Sequence, residues 1–180
     1  MIVEKCALEG ALLIRPRVFE DPRGFFFESY NEDVFREAGL PTLWRQDNHS
    51  RSQHGTVRGL HFQRGGNQYK IVRCVRGRVL DVIADIRPDS PTLGQWIGVE
   101  LSEKNRTMLF VPGGFAHGFA VLSDDADVLY KSGTVYDPAL EDEIQWNDPD
   151  IGVQWPVETP MLSARDMQAK SFQEYLKLVR

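Results

Sequence analysis

Thr56-Val57-Arg58-Gly59-Leu60-His61-Phe62-Gln63, then Tyr69-Lys70-Ile71-Val72-Arg73-Cys74-Val75, the turn Arg76-Gly77 and the run from Arg78 to Ile86 decide the fold. Short runs rich in Val, Ile and Phe, separated by glycine-bearing breaks, read as consecutive β-strands. The spacing continues downstream: Pro88 to Gly94 reads as a turn, Gln95 to Leu101 as a strand, Ser102 to Arg106 as a turn and Thr107 to Pro112 as another strand. Short strands at this regular spacing predict an all-β sandwich or barrel.

The same stretch carries a base beside a cation. His61 sits in an apolar, strand-like setting, and Lys70 follows across Arg64-Gly65-Gly66-Asn67, a gap of turn formers able to fold back on itself. A neutral imidazole with an ammonium nearby suits proton abstraction next to a carbonyl: the imidazole takes the proton and the cation stabilises the charge that develops on oxygen. Taken alone, such a His is more often structural. Strict alternation also puts His61 with Val57 and Gly59 on one face and Arg58 on the other. Arg58 and His61 line one cavity only if Gly59 marks a bulge or twist.

On the amino-terminal side, Leu8 to Arg17 alternates weakly and contains Pro16, which predicts an edge strand or one that pairs with another subunit. Glu20-Asp21-Pro22-Arg23-Gly24 has turn composition, and Phe25-Phe26-Phe27-Glu28-Ser29-Tyr30 reads as an aromatic strand. Three consecutive Phe point to both faces, with core packing the default and stacking on a flat ligand ring the alternative. Asn31 to Gly39 carries helix signals: Asn31 as N-cap, acids in the first turn, Gly39 as the stop and Pro41 beyond it. The polar run Gln46-Asp47-Asn48-His49-Ser50 either lines a cleft or is plain loop.

Toward the carboxyl end, Gly113-Gly114-Phe115-Ala116-His117-Gly118 places a glycine-flanked His between strand patterns, where backbones can approach a ligand. Val128-Leu129-Tyr130-Lys131 is strand-like and delivers a phenol, usually a core residue with its hydroxyl bonded. Ile144 to Pro156 is irregular and aromatic and is expected to cover the sheet. Ser163-Ala164-Arg165-Asp166 matches a capping box ahead of a helix over Met167 to Leu176, so Asp166 reads as a cap.

At 180 residues, 42% hydrophobic and 26% charged, the chain suits one folded domain. The early charges Glu4 and Lys5 fit no signal peptide and no apolar run reaches membrane-span length, so the expected location is the cytoplasm. Cys6 and Cys74 lack metal or disulfide spacing and read as free thiols; none of the four His shows metal-site spacing. Residues 1–87 carry 14 Lys and Arg against 11 Asp and Glu, and the remainder 7 against 15. A basic half on an acidic chain fits a small phosphorylated ligand better than nucleic acid.

Six motifs, Asp21-Pro22-Arg23-Gly24-Phe25-Phe26-Phe27-Glu28-Ser29, Gln46-Asp47-Asn48-His49-Ser50, Arg58-Gly59-Leu60-His61-Phe62-Gln63, Pro112-Gly113-Gly114-Phe115-Ala116-His117-Gly118-Phe119, Leu129-Tyr130-Lys131 and Trp146-Asn147-Asp148-Pro149, resemble in order the signatures of the dTDP-4-dehydrorhamnose 3,5-epimerases. The resemblance runs from Ile2 to Lys170. It implies a cupin-type jelly roll or β-sandwich with a few short helices, one domain over 1–180 with a partly helical segment at 160–180, homodimerisation through the sheets, and no metal or organic cofactor. The implied substrate is dTDP-4-dehydro-6-deoxy-glucose, inverted at carbons 3 and 5. By position His61 resembles the general base, Tyr130 the general acid, Lys70 the cation near the keto oxygen and Asp166 the carboxylate paired with the histidine. Arg23, Phe26, Glu28, Gln46, Asp47, Asn48, Arg58, His117, Glu141 and Arg165 resemble residues that hold the nucleotide diphosphate and sugar.

The residue types suit that chemistry. A 4-keto group acidifies the hydrogens on both neighbouring carbons, so one base serves both, and reprotonation from the opposite face inverts each. An unperturbed His titrates at about 6.5 and a Tyr at about 10, fitting base and acid at neutral pH. The chain departs from the pattern in a segment after Gln63 that is one residue short, in Tyr69 where Gly is common, bulky enough to crowd the pocket, and in Arg165 where Lys is usual. A one-centre epimerase or ketoisomerase on a related dTDP-sugar, and a non-catalytic or metal-dependent cupin binding a nucleotide sugar, are the alternatives.

Overall fold

The strand runs that flank Gly77 face each other across a sandwich instead of pairing. The structure, a computed structural model, describes residues 1–179. β1 (Ile2–Lys5), β2 (Leu12–Arg15), β3 (Val18–Asp21) and β4 (Gly24–Phe27) precede helix α1 (Glu32–Glu37). Then follow β5 (Gln46–Gln53), β6 (Val57–Gln63), β7 (Lys70–Arg76), β8 (Arg78–Asp85), β9 (Trp96–Ser102), β10 (Met108–Val111), β11 (Phe115–Val121), β12 (Asp125–Ser132) and β13 (Glu141–Glu143), with helix α2 (Phe172–Val179) at the end. A six-stranded sheet, in the order β1-β2-β10-β7-β12-β5, packs on a five-stranded sheet, β13-β6-β11-β8-β9. This is the all-β sandwich of cupin type that the resemblance implies.

Alternation explains the core. Val72 and Cys74 of β7 and Val128 of β12 point inward from one sheet, and Val79 and Ile83 of β8 meet them from the other. Each fully buried aliphatic side chain of this kind contributes about 1.5–3 kcal/mol by leaving water. All seven residues of β11 are buried, because the outer face of its sheet is also covered. There Ile144, Ile151, Val153, Phe172, Tyr175 and Leu176 pack on Leu60, Val82, Ala84 and Ala116, so the irregular aromatic segment covers the sheet as its composition predicts.

Several expectations change. Leu8 to Arg17 does not form an edge: β2 pairs with both β1 and β10, and the edge is the short β1. The segment after Gln63 does not fold β6 and β7 into a hairpin, since the two strands lie in opposite sheets. β3 and β4 form a separate ribbon, leaving Phe25 57% and Phe26 69% exposed in place of the default core packing. The ribbon joins neither large sheet, and its aromatics meet only partial cover, such as the Arg106 guanidinium 4.2 Å from the Phe25 ring centroid. α1 forms as its signals predict, with the Asn31 side chain accepting from the Asp33 and Val34 N–H groups.

The helix expected over Met167 to Leu176 is divided. Asp166–Gln168 is a short 3-10 turn, and α2 starts beyond it at Phe172. The expected capping box forms at the 3-10 turn, where Asp166 Oδ2 accepts from Ser163 N at 3.4 Å and Ser163 Oγ accepts from Asp166 N at 3.1 Å; a second box, with the Glu174 carboxylate accepting from Ser171 N and the Ser171 hydroxyl from Glu174 N, opens α2. Capping occupies only Oδ2 of Asp166, which leaves Oδ1 for another partner.

Candidate active site

A pocket of about 370 Å³ opens between the sheets, lined by Lys70, Ser132 and Gln46 where β7, β12 and β5 meet. Pairing sets these three in one cross-strand row and Val72, Tyr130 and Asn48 in the next. Alternation turns both rows to the same inner face. The run Gln46 to Ser50, read as cleft or loop, is therefore a strand whose every second residue lines the cleft.

The opposite wall carries His61, which pairs with His117, and Arg58. Between the pairs His117–His61 and Phe119–Arg58, Gly59 and Leu60 of β6 oppose the single Gly118 of β11. One extra residue shifts the phase of the strand, so Arg58 and His61 line the same cavity. Only glycine fits here: a Cβ on Gly59 would lie 2.6 Å from Gly118 Cα, and Gly59 has φ +128.

Asp166, 105 residues from His61 in sequence, meets it across the back of the pocket, with His61 Nε2 and Asp166 Oδ1 2.6 Å apart. Ser163 Oγ donates to the other carboxylate oxygen at 2.6 Å, and Asp166 is 3% exposed. Burial alone lifts the carboxyl pKa, but the bonds from His61 and Ser163 outweigh it and take it down to about 2. An ionised carboxylate only accepts, so Nε2 carries the hydrogen and Nδ1 keeps its lone pair. The Asp166 bond thereby fixes the orientation of the His61 ring.

Lys70 is 8% exposed, and its Nζ lies 5.8 Å from the centroid of the Tyr130 ring. Burial pushes the ammonium down to about 8, against the opposing pull of Glu141 and Asp81. Burial, then Glu141, raise the Tyr130 phenol, with Arg58 acting the other way; the group stays protonated at neutral pH. The His61 imidazole and the Tyr130 phenol thus line one pocket from different sheets, with the Lys70 ammonium beside the phenol. A flat ring held between them can lose a proton to one side and regain it from the other.

The expected residues divide between places. His61, Lys70, Tyr130, Gln46, Asn48 and Arg58 line the pocket, as do His117 and Glu141. Arg58 is held by donating to Ser52 Oγ at 3.0 Å. Asp47 is turned away by alternation and bonds Lys131 at 2.9 Å, beside a smaller cavity of about 70 Å³ on the outer sheet face. Arg165 lies just behind, donating to Glu143 and standing 3.4 Å from Glu141. Arg23, Phe26 and Glu28 belong to the exposed ribbon and its exit, outside this pocket. Arg23 is engaged with Asp21 at 2.6 Å. Tyr69 does not crowd the cavity: it points to the outer face, edge-on to Trp44.

No motif in the sequence singles out Asp81, which stands behind the lining, or Tyr136, which is part of it. Asp81, fully buried on β8, bonds His117 Nε2 at 3.0 Å. A charge inside Val79-Leu80-Asp81-Val82-Ile83 was the signal available, since isolated charges are rarely buried without a partner. Ser50 continues the inward series from Gln46 and Asn48; its buried hydroxyl has no hydrogen-bond partner among the described residues. Tyr136, half exposed, reaches the pocket from the segment after β12, which carries no periodic signal. Among the described residues, no three His, Cys, Asp or Glu side chains gather as a metal-ligand group.

The sequence profile described as dTDP-4-dehydrorhamnose 3,5-epimerase matches residues 5–174. The chain is 53% identical over 172 residues to the dTDP-4-dehydrorhamnose 3,5-epimerase of Salmonella typhimurium, covering 94% of each. It superposes with TM-score 0.93 and 41% identity, over 97% of this chain and 96% of the other, on the dTDP-6-deoxy-D-glucose-3,5-epimerase of Legionella pneumophila, solved in complex with dTDP-4-keto-L-rhamnose. The dTDP-4-dehydrorhamnose 3-epimerase of Streptomyces niveus is 42% identical over 171 residues, covering 94% of this chain and 83% of its own.

Proposed function

The chain belongs to the dTDP-4-dehydrorhamnose 3,5-epimerase family, and from that premise we propose that His61, Lys70, Tyr130 and Asp166 carry out its isomerase reaction. The reaction converts dTDP-4-dehydro-6-deoxy-D-glucose to dTDP-4-dehydro-L-rhamnose. His61 removes the hydrogen on carbon 3 or carbon 5, the electron pair moves into the C4 carbonyl, and the enolate oxygen is held by the Lys70 ammonium. Tyr130 then delivers its phenolic proton to the opposite face of the same carbon. His61 releases its proton to solvent and Tyr130 regains one, so the second carbon is inverted in the same way. Asp166 holds Nε2–H in place and stabilises the imidazolium that forms. General acid and base each contribute on the order of 10²–10⁴-fold.

The observation that carries this reading is the placement of His61 and Tyr130 on facing walls of one pocket, with buried Lys70 beside the phenol. Inversion needs an acid and a base on opposite faces of the sugar ring, and two facing sheets supply them. Arg58 and His117 are assigned to the diphosphate and sugar, on the ground that a guanidinium fork bonds phosphate oxygens in pairs and keeps its charge.

Arg23, Phe26 and Glu28 enter the same reading through a second copy of the chain. A ribbon carrying exposed Phe19, Phe25 and Phe26 has the character of a contact surface. In a homodimer, the ribbon of one protomer reaches the pocket of its partner and adds these residues to the nucleotide end.

Incubation with dTDP-4-dehydro-6-deoxy-D-glucose in deuterium oxide tests the reaction. Label at both carbons flanking the ketone, with inversion at each, is expected; label at carbon 3 alone would make this a one-centre enzyme like the Streptomyces niveus relative. His61→Ala should abolish exchange at both carbons while leaving dTDP binding within about threefold, the scale of one neutral hydrogen bond. An active His61→Ala protein sinks the mechanism.

A further inference from the structure

Tyr69 immediately precedes Lys70 at the pocket end of β7. Lys70 points into the cavity, so alternation sends the Tyr69 ring to the outer face of the sheet. There it meets three separate segments. Its ring stands edge-on to Trp44 at 5.1 Å and near Phe110 at 6.3 Å. Its hydroxyl donates to the Leu43 carbonyl. It also fills the space over Gly133, where an added Cβ would fall 2.2 Å from the ring. The Tyr69 carbonyl meanwhile accepts from Gly133 N at 2.9 Å, extending the β7–β12 ladder by one step.

Two of these segments lead within a few residues to the pocket wall. Leu43 and Trp44 run directly into Gln46. Gly133 begins the stretch that brings Tyr136 to the pocket, and the Tyr136 N–H donates to Gln46 Oε1 at 2.7 Å. Lys70, the buried cation, is the next residue in the chain. Tyr69 therefore touches the supports of Gln46 and Tyr136 without touching the cavity.

We infer that Tyr69 is a positioning residue for ligand binding: from outside the pocket it fixes the placement of Gln46 and Tyr136, Lys70 being held by its own pairing with Val111 and Ser132, and so sets affinity for the nucleotide without taking part in proton transfer. This rests on reading the pocket as a dTDP-sugar site. Side chains that hold a binding wall from behind act mainly through pre-ordering, so their loss raises the dissociation constant more than it slows chemistry at saturation.

The test uses the full chain with dTDP as the titrant in calorimetry, dTDP-4-dehydro-6-deoxy-D-glucose for KM and kcat, and thermal unfolding alongside. Tyr69→Phe keeps the ring and removes only the bond to Leu43; dTDP binding should weaken by about threefold. Tyr69→Gly should weaken binding and raise KM by about tenfold, with kcat within about twofold. Gly133→Ala, which collides with the ring, should weaken binding strongly in the parent chain and little in the Tyr69→Gly background, and that non-additivity measures the coupling. Lower Tm with unchanged Kd and KM in Tyr69→Phe and Gly133→Ala overturns the inference, leaving Tyr69 a purely structural residue; Tyr69→Phe decides the matter if Tyr69→Gly does not fold. Failure of the parent chain to bind dTDP would overturn the functional reading itself, and the inference with it.

Discussion

At Lys70, pH acts with two opposite signs. Burial takes its pKa from 10.5 to about 8, so between those values the unfolded chain binds more protons than the folded one. Stability then rises with pH through this window. The penalty for burying the charge, about 3 kcal/mol, is fully present below about pH 8 and is relieved toward pH 10.5. Activity runs the other way, because only the ammonium stabilises an enolate. A kcat profile is expected to fall on the alkaline side near pH 8, and Lys70→Arg, weaker but permanently charged, should lose that limb; an alkaline limb unchanged in Lys70→Arg would assign it to another group. Asp166 gives the opposite case. Its contribution of about 2 kcal/mol is present above the ordinary carboxylate value of 3.8 and is lost as pH falls through about 2. Asp166→Asn keeps the shape and removes the charge that orients His61. It should lower kcat by on the order of 10²-fold or more with dTDP affinity preserved, as steady-state kinetics and calorimetry together would reveal.

At the scale of the element, β6 decides whether the site exists. A regular strand would send Arg58 and His61 to opposite faces; the bulge at Gly59-Leu60 brings them to one cavity. Gly59→Ala must place a Cβ 2.6 Å from Gly118 Cα at φ +128. The expected cost is about 1–3 kcal/mol in urea denaturation, together with loss of deuterium exchange into substrate as His61 leaves register. Full exchange in a destabilised Gly59→Ala protein would show that the bulge serves stability alone. The condition on Gly59 was legible in the sequence, but whether it was met was not. The carboxyl-terminal segment teaches the same point. Ser163-Ala164-Arg165-Asp166 and Ser171-Phe172-Gln173-Glu174 both match a capping pattern. Both make the reciprocal bonds, but the first caps only a 3-10 turn, and its Asp166 uses its other carboxylate oxygen for His61.

At the scale of the molecule, the ribbon of β3 and β4 stands apart from both large sheets. Phe26→Ala removes an aromatic that is 69% exposed in the single chain, so it should leave the protomer's own packing intact. In a homodimer whose ribbons reach across, it should weaken dTDP binding by about tenfold, or about 1.4 kcal/mol, with sedimentation giving twice the chain mass for the parent. Unchanged affinity in Phe26→Ala would remove the ribbon from the site.

The sequence by itself determined what depends on neighbours along the chain: the period-two strands of Thr56 to Pro112, the Asn31-capped helix, and the identities of His61, Lys70 and Tyr130. Backbone dihedrals and side-chain alternation are set within a few residues, so such features can be read in place. Tertiary structure alone decided which of those residues meet. It put β6 and β7 in opposite sheets, so that His61 and Lys70 face one another instead of sharing a hairpin. It carried Asp166 across 105 residues to His61, turned Asp47 outward, and set Arg23, Phe26 and Glu28 apart from the pocket. These proximities come from sheet packing and from the burial of apolar faces, which is non-directional and leaves no local signature in the order of the residues.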